Sequence, residues 1–383
     1  MRTKGKRGKE KRISMAVFLC CVLLGAITIL GGCGASDGGA EVSASQSESA
    51  ASREMRIFTD SCGREVEVPA EIESIVPSGN LAQIFLYAIA PDALIGISGG
   101  WSDDAADYID EKYIDLPEIG QFFGQRDLNY EEIASLNPDV IIDVGEDKDS
   151  IEEDMDDITE KTGIPVVHIT ATVDCYDEAF TMLGALLGLE EEAQELAQYC
   201  ADAYQTAVDM MAEVDADDAR KSLLYCVGED GLHVIAEDSY HSEIIDLLSD
   251  NAAKVDSPSS KGTGNEVDIE QILKWNPDVI LFAPGGYYDE AADNTLWGYL
   301  DAISSDAYYE VPIGPYNWMG FPPASNRVLG MIWMSELLYP EYSDYDMEEE
   351  TVRYYDLFFH CDLTHEQYLD LTANSIQKAA GQQ

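Results

Sequence analysis

The chain has 383 residues, of which 46% are hydrophobic and 25% are charged, and it carries 22 Lys and Arg against 74 Asp and Glu. The formal net charge of -52 excludes proteins that work by binding nucleic acid or an anionic membrane surface, because both partners select Lys and Arg. One hydrophobic core rarely grows beyond about 250–300 residues, so we expect two lobes.

The first 32 residues have the layout of a secretory signal. Basic side chains dominate residues 1–12, an apolar run extends from Ile13 to Leu30, and two glycines precede Cys33. Leu-Gly-Gly-Cys resembles the bacterial lipobox, in which the cut precedes the cysteine and its sulfur carries a diacylglycerol. A retained transmembrane helix is the alternative, because about 18 apolar residues can span a bilayer. Residues 33–52 contain no aromatic side chain and predict a flexible tether.

From residue 53 onwards, short apolar runs rich in β-branched residues alternate with amphipathic helical patterns. Strands are predicted at 74–77, 94–98, 140–144, 166–169, 222–227, 233–236, 279–283 and 309–313. Helices are predicted at 81–89, 130–136, 151–162 and 242–248. This alternation is typical of an α/β protein with parallel sheets covered by helices on both faces.

An internal repeat divides this α/β region. Residues 128–145 read LNYEEIASLNPDVIIDVG, and residues 267–284 read VDIEQILKWNPDVILFAP. In both copies a helix ends before Asn-Pro, because Pro disfavours the helical conformation in the residue before it. The apolar run after Pro-Asp predicts a buried parallel strand, so the two copies indicate two lobes of similar plan.

The segment between the copies predicts one long helix. Three acids at 190–192 suit a helix N-terminus, apolar and small residues follow at helical spacing, and no Pro or Gly interrupts residues 189–214. About 25 residues at 1.5 Å each span roughly 37 Å, enough to connect two lobes. We therefore expect an N-terminal lobe at 53–188, a bridging helix at 189–214 and a C-terminal lobe at 215–383. An ordinary surface helix on one lobe is the alternative.

Four segments in chain order resemble one protein family. They are the opening TDSCGREVEVP at 59–69, the strand pair at 75–76 and 94–97, the two Asn-Pro-Asp repeats, and PPASNRVLG at 322–330. Together, behind a lipobox, they resemble the class III periplasmic binding proteins, the lipoproteins that feed ABC importers of iron-siderophores, haem, vitamin B12 and some oxyanions.

This resemblance implies two Rossmann-like lobes with parallel sheets joined by one long bridging helix. It also implies a monomer without a resident cofactor, held on the outer face of the cytoplasmic membrane, or in the periplasm, by a lipid on Cys33 alone. The expected partners are a permease dimer with its ATPase and a small ligand. We expect a metal chelate, with iron the favoured metal, because the acidic chain disfavours a polyanion. An oxyanion of the molybdate or tungstate type, or a ligand-sensing role without a transporter, stays open.

The resemblance further implies one carboxylate per lobe that meets Arg residues of the permease. The matching positions are Glu131 and Glu270, which are equivalent in the repeat. A charge-assisted pair at each lobe would fix the register of docking. Alternatively, both are first-turn glutamates that stabilise helix N-termini.

Ligands of open α/β sheets bind outside the carboxyl ends of the strands. The loops expected at those ends are rich in aromatic rings, which can stack on a flat ligand, and they contain two of the scarce Arg, which can bind an oxyanion or a carboxylate. Packing between loops and surface ion pairs are the alternatives. The candidate ligand residues are Ser78, Asn80, Trp101, Phe123, Arg126, Tyr287, Tyr288, Tyr316, Trp318 and Arg327.

No pattern predicts an enzyme or a protein-ligated metal. The sequence lacks G-x-S-x-G and the P-loop, and Gly262-Thr263-Gly264 lacks the third glycine of a dinucleotide site. The five histidines form neither H-x-H nor H-E-x-x-H. His241 is kept as a possible axial ligand to haem iron, although a structural histidine is the simpler interpretation.

Overall fold

The chain folds around two larger β-sheets, one in each half of its sequence, and also contains a separate two-stranded sheet. The structure, a computed structural model, describes residues 53–102, 105–122 and 127–382. The predicted signal at 1–32 and the tether at 33–52 therefore lie outside the described residues. No helix within the described ranges is long and apolar enough to cross a bilayer.

The strands in chain order are β1 (Met55–Thr59), β2 (Glu65–Pro69), β3 (Ile75–Pro77), β4 (Val140–Gly145), β5 (Val166–Thr170), β6 (Ser222–Val227), β7 (His233–Val234), β8 (Asp250–Asn251), β9 (Asn265–Glu266), β10 (Val279–Phe282) and β11 (Tyr308–Glu310). The helices are α1 (Asn80–Ile89), α2 (Glu111–Ile114), α3 (Tyr130–Leu136), α4 (Ile151–Thr162), α5 (Tyr176–Leu187), α6 (Glu190–Ala216), α7 (Glu243–Leu248), α8 (Ile269–Trp275), α9 (Tyr288–Ala291), α10 (Asp301–Ser304), α11 (Asn326–Leu338), α12 (Met347–Phe359), α13 (His365–Leu371) and α14 (Ile376–Gln382).

The first-half sheet has the order β3-β4-β5 and is parallel throughout, behind the antiparallel hairpin β1-β2. The second-half sheet has the order β11-β10-β6-β7-β9, with β8 also paired to β6. In that sheet β6, β10 and β11 run parallel, and their residues are buried or nearly so. The predicted α/β class is confirmed.

One strand prediction was wrong, and a second was right about the strand but not about its length and direction. Residues 94–98 form no strand, because Leu94 bridges only to Ile75 and Ile97 bridges only to Glu118, so the backbone changes partner before a ladder can form. The strand predicted at 233–236 is the short β7, which pairs antiparallel with β6. Only a short loop joins β6 to β7, and a parallel crossover needs a dozen or more residues.

The sequence repeat is also a structural repeat. α3 and α8 have seven residues each, and both begin after a polar side chain that caps a backbone N–H: Asn129 accepts from Glu132 and Asp268 accepts from Gln271. Both helices end at an asparagine in the left-handed conformation, a backbone shape that asparagine tolerates better than most residues. A buried parallel strand follows each helix, as predicted.

The aspartate of each Asn-Pro-Asp ties its strand to the neighbouring one. Asp139 accepts the Ser74 N–H at 3.0 Å and donates its own N–H to Ser74 Oγ at 3.1 Å. Asp278 accepts the Ser222 N–H at 2.8 Å and donates its own N–H to Ser222 Oγ at 2.9 Å. The two copies therefore share a strand-to-strand connection that the sequence alignment alone did not reveal.

The bridging helix is α6, and its 27 residues agree closely with the expected range. Its buried face belongs to one hydrophobic core that also contains residues of β3 to β6, α1, α11 and α12. The end of α12 packs against the first half of the chain. Tyr87 of α1 donates its hydroxyl to Phe359 O at 3.4 Å, and the Tyr87 carbonyl oxygen lies 3.2 Å from His360 Nε2. The lobe boundaries at 53–188, 189–214 and 215–383 stay predictions.

Candidate ligand-binding site

Polar groups at the end of β3 are bonded to each other. Ser78 donates its hydroxyl to Asp143 on β4, and the second oxygen of Asp143 lies 2.6 Å from His168 Nδ1 on β5. All three side chains are buried. The serine contacts the carboxylate and not the imidazole, so this is not the order of groups that activates a serine nucleophile.

A second polar network follows at the start of α1. Ser98 Oγ lies 2.6 Å from Asn80 Oδ1 and 2.8 Å from Gln83 Oε1, and the Ser98 N–H donates to Gln83 Oε1 at 2.8 Å. Gln83 Nε2 donates to the Tyr316 hydroxyl at 3.2 Å, which links the first half to a loop of the second. The Tyr316 ring lies 5.9 Å from that of Trp101, whose indole N–H donates to Tyr113 O at 3.0 Å. Three predicted ligand residues, Asn80, Trp101 and Tyr316, are thus brought together.

Arg327 is the centre of the junction between the halves. Its side chain is fully buried, and Nε donates to the Tyr176 hydroxyl at 2.8 Å. Nη1 donates to Tyr240 O at 2.7 Å and lies 2.6 Å from Glu243 Oε2. Nη2 has no hydrogen-bond partner among the described residues. A buried guanidinium with one unused N–H₂ is rare enough to suggest a ligand contact.

Tyrosines hold this junction together. Tyr176, at the start of α5, donates its hydroxyl to Ala324 O at 3.0 Å, and Tyr240 donates its hydroxyl to Ala171 O at 2.7 Å. Burial raises the pKa of both phenols, so each remains a donor. The Arg327 guanidinium also lies 4.8 Å from the centre of the Tyr240 ring. The two halves are therefore joined here by bonds in both directions.

His241 lies beside this junction. Its ring stacks on Phe321, with centroids 5.5 Å apart, and Nδ1 has no hydrogen-bond partner of good geometry within the described part of the chain. Burial, followed by the Arg327 charge, lowers the pKa of His241 to about 4. Gly262 lies against both rings, and a Cβ there would be 2.7 Å from Phe321. Gly262 thus allows close packing against the rings, whereas Gly264 lies against the Val234 backbone.

Three predicted aromatic ligands have packing partners elsewhere. Tyr287 packs 5.3 Å from the Trp297 ring, and its hydroxyl accepts from Asn294 at 2.8 Å. Tyr288 lies 5.4 Å from the Tyr308 ring and 5.2 Å from Lys378 Nζ. Trp318 is buried against Trp333. Their role in ligand binding stays a prediction. Cys33, Phe123 and Arg126 lie outside the described residues.

The predicted docking glutamates occupy equivalent places. Glu131 is exposed in the first turn of α3, and Glu270 is exposed in the first turn of α8. Among the residues that the structure describes, neither carboxylate forms an ion pair that would occupy it in place of a permease arginine. No cluster of three or more His, Cys, Asp and Glu side chains in the described ranges is arranged to hold a metal ion.

Sequence reasoning did not find Gln83, Tyr176, Tyr240 or Glu243. Gln83 and Tyr176 look like ordinary residues of helices, and their partners are far away along the chain. The scarcity of cations was the one usable signal, because it singled out Arg327.

Comparison with known proteins identifies a family that matches this chain. Residues 84–312 match the family model described as periplasmic binding protein. The chain is 23% identical over 335 residues to the molybdate-binding protein MolA of Haemophilus influenzae, covering 79% of this chain and 91% of that protein. It is 25% identical over 303 residues to the Fe(3+)-citrate-binding protein YfmC of Bacillus subtilis, covering 77% and 88%.

A solved structure is similar over the same region. The ABC transporter solute binding protein from Sulfurospirillum deleyianum superposes with a TM-score of 0.76 at 27% identity, covering 83% of this chain and 99% of that one. These relatives are named as binding proteins and not as enzymes, which confirms the expectation of a non-catalytic role.

Proposed function

Because the chain belongs to the periplasmic binding protein family and is a solute-binding protein for an ABC importer, we propose that its cargo is a metal chelate. We further propose that an oxygen of the chelate is held by Arg327 where the two halves meet. Iron is the favoured metal, carried by a siderophore, a haem or a comparable organic ligand. The similarity to a protein named for Fe(3+)-citrate supports this choice.

The unused Nη2 of Arg327 is the observation that carries the proposal. A buried donor left unpaired costs about 1–3 kcal/mol, so a folded protein gains nothing by keeping one unless a ligand uses it. Iron chelators bind the metal through carboxylate, hydroxamate or catecholate oxygens, and any of these can also accept a hydrogen bond. The ring pair Trp101 and Tyr316 offers an apolar surface, and Tyr316 lies in the loop that precedes α11.

An oxyanion of the molybdate type is the second candidate. It is favoured by the same guanidinium and by the similarity to a protein named for molybdate. A tetrahedral oxyanion would require several donors pointing at one place. Nη2 of Arg327 is joined there by the His241 imidazole, a much weaker set than a doubly charged anion usually receives.

Native mass spectrometry distinguishes these cargoes. The unit from Ser52 onwards is compact and is the part to express for this experiment. It would be mixed with ferric siderophores, haem, cobalamin, molybdate and tungstate. A one-to-one adduct with a chelate is the expected result. An adduct with the oxyanions alone would support the second candidate, and a folded protein that binds none of them would contradict both.

Delivery is proposed to depend on Glu131 and Glu270. Each would pair with an arginine of one permease subunit, so the matched first turns of α3 and α8 would dock symmetrically. The double variant Glu131→Gln, Glu270→Gln should lose uptake in cells while ligand affinity stays unchanged. Glu132→Gln, one residue further along α3, is the matched control. Normal uptake by the double variant would refute the docking role.

Anchoring is proposed to depend on Cys33. A lipid on this residue, followed by the tether 33–52, would hold the folded unit near the permease and its ATPase without any further membrane contact. Cys33→Ser should release the protein from the membrane fraction into the soluble extracytoplasmic fraction. Retention in the membrane fraction would favour a retained transmembrane segment.

A further inference from the structure

A carboxylate is already paired with the guanidinium at the proposed site. Glu243 Oε2 lies 2.6 Å from Arg327 Nη1, and the Glu243 side chain is 24% exposed while Arg327 is fully buried. The backbone of Val173, in the first half, also binds this carboxylate. Glu243 is therefore held at the junction from both halves, and it neutralises the charge that would otherwise attract an anion.

The surroundings add more negative charge than positive. Beyond the effect of burial, the negative charges of Glu146 and Asp174 raise the pKa of Tyr240 and of Glu243, respectively. The positive charges that act on His241 are those of Arg327 and Lys148. Lys148 also pairs with Glu146 at 3.3 Å. With its pKa lowered to about 4, His241 adds no charge at neutral pH. At this junction, three carboxylates (Glu243, Glu146 and Asp174) thus outnumber two cations (Arg327 and Lys148).

We propose that Glu243 is the residue that sets the charge of the accepted ligand, an inference that rests on the proposed function. Arg327 uses Nε and Nη1 within the protein, so only one N–H₂ group is left for the ligand. A neutral or singly charged chelate needs only an oxygen that accepts this hydrogen bond. A dianion would meet the Glu243 carboxylate at close range after losing its water, and both effects oppose binding. The site therefore selects chelates of low net charge and rejects tetrahedral dianions.

Glu243→Gln tests this assignment directly. Glutamine keeps the size of the side chain and an oxygen for Nη1, but it removes one negative charge next to Arg327. We expect molybdate, a dianion, to bind the variant at least about tenfold more tightly than the parent chain, because charges a few ångströms apart interact strongly in a partly buried site. Affinity for the neutral chelate ferrichrome should change by less than about threefold. Isothermal titration calorimetry at neutral pH measures both.

Two further variants control the experiment. Glu243→Asp keeps the charge and should keep the rejection of molybdate. Glu178→Gln, an exposed carboxylate on α5, changes the total charge equally and should have no effect on either probe. Unchanged molybdate affinity in Glu243→Gln, in a protein that still binds its own chelate, would overturn the inference alone. If neither the parent chain nor the variant binds any probe, the proposed function fails together with it.

Discussion

The two halves of this chain share a plan but treat their polar groups differently. At the strand ends of the first half, Ser78, Asp143 and His168 bond to one another, and Asn80, Ser98 and Gln83 form a second network that Gln83 extends to Tyr316. In the second half, Arg327 Nη2 and His241 Nδ1 are buried and have no hydrogen-bond partner among the described residues.

We use this difference to propose which polar groups are structural and which bind the ligand. Buried polar groups in stable proteins are almost always paired, and violations of this rule concentrate where function requires them. We infer that the bonded groups of the first half act as a rigid floor and that Arg327 and His241 of the second half are open to a ligand. Substitutions in the first set should lower stability without changing affinity, whereas substitutions in the second set should change affinity.

Asp143→Ala should give the largest loss of stability. It leaves the Ser78 hydroxyl and the His168 ring without their acceptor inside the first half. We expect the free energy of unfolding to fall by about 3–5 kcal/mol. Urea denaturation followed by circular dichroism measures the loss, and Asp143→Asn should recover part of it. Ligand affinity of the folded fraction should stay within about threefold, so a larger change would place this network in the site.

His241 should make stability depend on pH. Its folded pKa of about 4 lies below the usual 6.5, so the unfolded chain binds more protons between these values. Stability is fully present above about pH 6.5 and is lost as the pH falls towards 4, by up to about 3 kcal/mol. His241→Gln should flatten this part of the profile, measured by thermal denaturation from pH 7.5 to 4. An unchanged slope would show that other groups cause the loss.

The two aspartates of the repeat should differ modestly in how much each contributes to the free energy of unfolding. Asp139 is 6% exposed and also pairs with Arg53, whereas Asp278 is exposed. Hydrogen bonds from the backbone of Glu73 and Ser74 and from Arg53 lower the pKa of Asp139, although burial opposes the shift. Asp139→Asn should cost about 2 kcal/mol and Asp278→Asn less than about 1 kcal/mol. Equal losses of stability in the two variants would mean that the burial of Asp139 adds nothing to its contribution.

Much of the fold was predictable because its signals are local. The Asn-Pro-Asp repeat predicted α3, α8 and the strands after them, and an uninterrupted helical pattern predicted α6. The strand predicted at 94–98 failed because its apolar residues contact two different partners. The direction of β7 was missed because it depends on the length of a loop, not on the composition of the strand.

The site was less predictable, since its contacts join residues distant in sequence. Tyr176 meets Arg327 across 151 positions, and Gln83 meets Tyr316 across 233. A single sequence carries no record of such pairs. Arg327 itself was selected from the sequence because cations are rare in this very acidic chain, which favours a specific role for each one. Tyr288 was selected as an aromatic loop residue, but Lys378 and Tyr308 lie against its ring.

The central claim is that Arg327 contacts the ligand. Its most direct test is a calorimetric titration of Arg327→Lys with the chelate identified by mass spectrometry, beside Arg64→Lys as the matched control. Arg64 pairs with Asp60 and Asp156 inside the first half, so its substitution should lower stability and leave affinity unchanged. Lysine cannot reproduce the planar fork of a guanidinium, so we expect Arg327→Lys to weaken binding at least about tenfold. Affinity equal to that of the control would contradict the account.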